Sequence, residues 1–137
     1  MRKLLLLILL FAAYYSEAQT TLTVNNGTGC SVTFYPIASH TTSCDLAFTA
    51  DPLIIPAGHS GVYTFSSFSW HSGTISPGDE YSDLVVKGDI AGVTLAEVGT
   101  SCSGQPASTV YAAPCSGAAT NINYATDEAG NVTVNIW

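Results

Sequence analysis

The sequence predicts an all-β protein: an antiparallel β-sandwich, Ig-like or jelly-roll-like, of roughly seven to nine short strands, stapled by disulfides. Three observations lead there. Apolar and polar residues alternate along most of the chain, the period of strands with one face buried. Gly and Pro recur with Ser and Thr between the alternating stretches, and no long helix-forming run interrupts them. Four cysteines follow a leader that reads as an export signal, and an even cysteine count in a small exported domain marks a disulfide framework.

The leader is "MRKLLLLILLFAAYYSEAQT". Arg2 and Lys3 form a basic start, Leu4 to Ala13 an unbroken apolar run, and Ser16 and Ala18 the small residues a signal peptidase reads. Cleavage is expected between Ala18 and Gln19, giving a signal peptide at 1–18 and one β-sandwich domain at 19–137. The apolar run is shorter than the roughly 20 residues a bilayer span needs, so no transmembrane anchor is expected in the mature chain. The expected location is secreted and extracellular, or periplasm or cell surface if the source is bacterial.

The elements follow in order. "TLTVNN" places Leu22 and Val24 on one side, "CSVTFY" does the same for Val32 and Phe34, and the turn-forming "NNGTG" predicts that the two make a first hairpin. Pro52 and Pro56 bracket Leu53 to Ile55, which suits an edge or a connection. "GVYTFSSF" predicts a strand with Tyr63 and Phe65 on one face, and "SWHSGTISPGDEYSD" a long polar connection. "DLVVKGD" and "IAGVTLAEVG" predict two strands joined near Gly88, and a short strand is expected around Val110. "TNINYATDEAGNVTVNIW" predicts a hairpin, with Ile122 and Tyr124 facing Val132, Val134 and Ile136 across a "DEAG" turn.

Cys30, Cys44, Cys102 and Cys115 allow three pairings. Cys30–Cys44 and Cys102–Cys115 are favoured because each closes a short, polar loop, a closure of the kind that stabilises by roughly 3 kcal/mol in the loop-entropy model. The competing zinc reading of Cys30, His40 and Cys44 has three ligands where zinc takes four, at spacings that match no finger or ribbon.

Charge excludes several functions. The formal net charge is −7, and beyond the leader Lys87 is the sole Lys or Arg. Nucleic-acid binding requires a basic face that displaces counterions from phosphates, and one lysine does not make one. Anionic membranes are disfavoured for the same reason.

Few patterns suggest chemistry. "SFSWHSG" gathers Ser69, His71 and Ser72, yet no G-x-S-x-G elbow is present. Asp51, Asp79, Glu80, Asp83 and Glu97 are the carboxylates available for paired-acid hydrolysis. Asp79, Glu80 and Asp83 are read as one polar loop that offers hard oxygen ligands to calcium, at a spacing unlike an EF-hand. Calcium is the only cofactor these carboxylates suggest. Trp70 stands in a polar stretch beside His71, so Trp70, His71 and Tyr81 are the candidate ligand-binding residues; the bland alternative makes Trp70 a core plug. Trp137 equally suits capping of the core. Asn26 and Asn131 begin "NGT" and "NVT" sequons.

The opening "VNNGTGCSVTFYPI" followed by "IIPAGHSG" resembles the start of thaumatin-like proteins. The likeness covers about a third of the chain, and that family's larger disulfide set and acidic cleft have no counterparts here, so it implies no activity. The sequence therefore points to a non-enzymatic extracellular binding or surface module for carbohydrate or protein. The alternatives are a small secreted hydrolase and an envelope component that self-associates through a C-terminal edge strand.

Overall fold

The computed structural model describes residues 20–40, 48–71, 79–87, 94–99, 104–112 and 119–137. In chain order the strands are β1 (Thr21–Asn26), β2 (Val32–His40), β3 (Phe48–Ala50), β4 (Leu53–Ile55), β5 (Ser60–Thr64), β6 (Trp70–His71), β7 (Asp79–Lys87), β8 (Thr94–Gly99), β9 (Ser108–Ala112), β10 (Ala119–Thr126) and β11 (Val132–Ile136). A 3-10 turn, Phe65–Ser67, follows β5. The all-β expectation holds among the described residues, with more and shorter strands than alternation alone resolves. The leader lies outside these residues; within them no helix is long and apolar enough to cross a membrane.

Two sheets form. One runs β5-β1-β11-β10-β9; the other runs β6-β3-β2-β7-β8, with β4 also on β2. Their inner faces share one core: Leu22, Val24, Ile122, Tyr124, Val132, Val134 and Ile136 from the first meet Val32, Phe34, Ala50, Ile55, Tyr81, Val86 and Val98 from the second. Each such side chain contributes about 1.5–3 kcal/mol when fully buried.

The first hairpin does not form. β1 lies in one sheet and β2 in the other, so "NNGTG" is a crossover between layers. Asn26 organises it. The residue is 2% exposed. Its Nδ2 donates to the carbonyls of Cys30 (2.8 Å), Ile55 (3.1 Å) and Pro56 (3.0 Å). Its Oδ1 accepts from the Thr28 amide (3.0 Å) and hydroxyl (2.6 Å). A turn-forming residue is here used as a buried plug that ties the crossover to the end of β4.

Freed from β2, β1 pairs in parallel with β11, Leu22 to Val132 through Asn26 to Ile136. β11 therefore lies between β1 and β10, inside the sheet. This corrects the expectation of a C-terminal edge strand available for self-association: β11 has a partner on both sides. β7 also begins earlier than read, at Asp79, because it continues its pairing with β2 to the register pair His40 and Asp79. Asp79, Glu80 and Asp83 are strand residues, and the polar loop expected around them is corrected accordingly.

The C-terminal hairpin forms as read. Asp127 Oδ1 accepts from the amides of Ala129 (2.9 Å) and Asn131 (2.8 Å), Oδ2 accepts from Asn131 Nδ2 (2.9 Å), and Gly130 takes φ +80°. The Asn131 contacts, side chain first, hold the Asp127 carboxyl below its usual range. The stabilisation is present above the ordinary carboxylate value and is lost as pH falls through the lowered one. The protection of the Ala129 and Asn131 amides, taken relative to intrinsic exchange at each pH, is expected to fall selectively at acidic pH, and Asp127→Ala to remove that pH dependence.

No cysteine among the described residues is a free thiol. Cys44, Cys102 and Cys115 lie outside the described residues, so neither expected cysteine pairing falls wholly within them.

Candidate functional site

Strand alternation separates the expected ligand-binding trio. Trp70 turns inward and is half-buried, with its Nε1–H donating to the Phe65 carbonyl at 2.8 Å. It packs against Phe65 and Phe68, each at 5.6 Å between ring centroids, and Tyr81 at 6.2 Å. Tyr81 is 1% exposed and stacks on Phe65 at 4.4 Å. The structure thus brings Trp70 and Tyr81 together as part of the core margin. His71, next along β6, is exposed, and its Nε2 lies 2.6 Å from Asp51 Oδ1.

The carboxylates expected to gather for calcium do not act as a loop. The Asp79 side chain is buried and contacts His40 Nδ1 through Oδ1. Glu80 and Asp83 occupy register positions opposite Ser39 and Ile37 on β2. No group of three or more His, Cys, Asp or Glu side chains converges among the described residues. The His40–Asp79 pair was missed in the sequence because 39 residues separate its members and only the β2–β7 register joins them. A buried carboxylate that orients a half-exposed imidazole is the base-and-orienter half of a nucleophilic site.

The outer face of the first sheet carries a second arrangement that the sequence hid in plain view. The polar phase of the alternation falls into register across five strands. Ser60, Asn25, Asn135, Asn123 and Ser108 form one row on β5, β1, β11, β10 and β9. Val62, Thr23, Thr133 and Ala125 form the next. Within the first row Asn25 Nδ2 donates to Asn135 Oδ1 at 2.8 Å. At an inter-strand spacing of about 4.8 Å the first row spans roughly 19 Å. Neither row contains an ionisable side chain. One step beyond Asn135, Trp137 exchanges backbone hydrogen bonds with Asn121 and is 56% exposed. Trp137 is therefore no core cap: the residues before it, Val132, Val134 and Ile136, take the inward phase.

Compared with known proteins, the chain matches no family model, no curated protein and no solved structure. The resemblance to thaumatin-like proteins accordingly gains no support, and function is argued from the surface itself.

The sequons receive a physical answer. Glycosylation would attach at Nδ2, and in the fold both nitrogens are engaged: Asn26 Nδ2 with three carbonyls and Asn131 Nδ2 with Asp127 Oδ2.

Proposed function

We propose that this is an exported, non-enzymatic binding module that holds an uncharged, hydroxyl-rich carbohydrate surface on the outer face of the β5-β1-β11-β10-β9 sheet. The observation that carries the reading is the charge-free Ser–Asn–Asn–Asn–Ser row with exposed Trp137 one step away. An amide offers donors and an acceptor together, which matches a hydroxyl that is both. An indole presents a large rigid contact area at low entropic cost. The face lacks the charges that would make desolvation costly, while the net charge of −7 repels acidic polymers.

Export by the 1–18 leader and pairing of Cys30 with Cys44 and of Cys102 with Cys115 belong to the same proposal. The leader and the even cysteine count support them. A short closure at Cys30 would brace the crossover that Asn26 already ties.

The test is depletion of the protein from solution by insoluble neutral polysaccharides such as cellulose, chitin and β-1,3-glucan, with protein recovered unchanged and polymer uncut. The His40–Asp79 pair favours a second reading, a small hydrolase. That reading expects soluble product from the same incubation, abolished by His40→Gln, where the first expects retention without product.

A further inference from the structure

In and beside the connection from β5 to β6, Phe65, Phe68 and Trp70 pack on Tyr81, and Tyr63 packs on Phe68. The Tyr81 hydroxyl is buried and has no hydrogen-bond partner among the described residues. A phenol left in that state costs about 1–3 kcal/mol, and folded proteins seldom carry such a group without a use. The neighbouring polar groups are spent elsewhere. Trp70 Nε1–H donates to Phe65 O, Tyr124 Oη donates to Tyr81 O at 2.7 Å, and the Thr64 amide donates to Ser67 Oγ at 3.0 Å.

The cover over the hydroxyl is thin. Phe65 stacks on the Tyr81 ring at an interplanar angle of 17° and belongs to the 3-10 turn, none of whose three residues is buried. The turn is pinned by side-chain contacts of Thr64 with Ser66 (2.8 Å) and Ser67 (3.4 Å), both solvent-exposed. Exposed hydrogen bonds of this kind open at low free-energy cost.

We infer that Phe65, Trp70 and Tyr81 form a subsite for a single neutral sugar ring: the ring displaces Phe65 from Tyr81, lies against the Trp70 indole, and accepts a hydrogen bond from Tyr81 Oη through one of its oxygens. The inference rests on the carbohydrate reading above but uses different residues from the sheet face. It requires no charge and no metal, in keeping with the absence of an ionised partner in the contacts described around Tyr81.

The experiment is calorimetric titration of the full protein and of Tyr81→Phe with cellobiose, maltose and diacetylchitobiose, beside thermal unfolding of both without sugar. The expected result is saturable heat with at least one disaccharide and affinity at least tenfold weaker in Tyr81→Phe, although the unliganded variant melts no lower than the parent. Absence of saturable heat with all three, equal affinity in the two proteins, or a clear fall in the variant's melting temperature each overturns the inference; the last would show that the hydroxyl already serves the free fold. Trp137→Ala separates the two sites. It is expected to weaken retention on insoluble polysaccharide by tenfold or more and to leave the Tyr81-dependent heat intact, so either site can fail without the other.

Discussion

Replacing Asn26 by alanine is expected to lower the melting temperature by roughly 10 °C, the largest effect of any polar substitution in the described core. The change removes the donor that the carbonyls of Cys30, Ile55 and Pro56 share and the acceptor of the Thr28 amide, while Thr28 Oγ1 still reaches the Cys30 carbonyl (3.0 Å) and the His59 amide the Pro56 carbonyl (3.2 Å). A buried group that loses its partner costs about 1–3 kcal/mol, and relaxation of the exposed part of the crossover recovers some of the sum, so a loss of about 3 kcal/mol is expected. For a chain of this size each kcal/mol moves the midpoint by about 3–4 °C. Asn26→Asp is expected to do as badly, because it places a carboxylate against three carbonyl oxygens in a site 2% exposed. Thermal unfolding followed by circular dichroism measures both. A midpoint within about 2 °C of the parent would remove Asn26 from its role in the crossover. The same geometry leads us to expect no glycan at Asn26 on folded protein from a glycosylating host, read by intact mass.

Trp137→Ala is expected to weaken retention on neutral polysaccharide by tenfold or more while leaving the fold untouched. Tryptophan is among the residues whose truncation at a binding surface costs most. This one is 56% exposed, so little core packing is lost with it. Its backbone pairing with Asn121 does not depend on the side chain. Thr133→Glu is the companion variant. It places a carboxylate in the row of Val62, Thr23, Thr133 and Ala125, where a neutral partner must strip it of water. Matched melting curves would show that both variants act on the surface alone.

What the sequence made legible was what local pattern controls. The inward residues of β1, β2 and the β10–β11 hairpin follow the period of two, and the "DEAG" turn forms because Asp127 caps it and Gly130 accepts positive φ. The β7–β8 pairing is likewise a local antiparallel match, while the expected turn near Gly88 lies outside the described residues. Non-local choices were hidden. "NNGTG" has the composition of a hairpin turn, yet β11 offers β1 a partner that buries Leu22 and Val24 against Val132 and Val134 within the same sheet, and the turn residues become a crossover. The segments "TLTVN" and "NVTVN", which share the same alternation, lie side by side in parallel register.

The polar rows of the outer face, the proposed binding surface, were half legible for the same reason. Alternation shows that Thr23, Asn25, Thr133 and Asn135 share the polar phase of their strands, but only the registers of four strand pairs align them with Ser60, Asn123 and Ser108. Trp70 drew attention because its sequence neighbours are polar. Those neighbours belong to a short edge strand and a turn, and the ring itself packs inward on Phe65, Phe68 and Tyr81. Trp137 follows Val132, Val134 and Ile136 in the alternation, and that place assigns it to the outer face.

The most direct measurement is retention of the protein on insoluble neutral polysaccharides, compared among the parent, Trp137→Ala and Thr133→Glu at equal folded concentration. The charge-free face requires saturable retention of the parent on at least one polymer and its weakening in both variants, with melting curves unchanged. Retention equal in all three proteins, or none by the parent on any neutral polymer, would contradict the assignment of the outer face as a carbohydrate-binding surface.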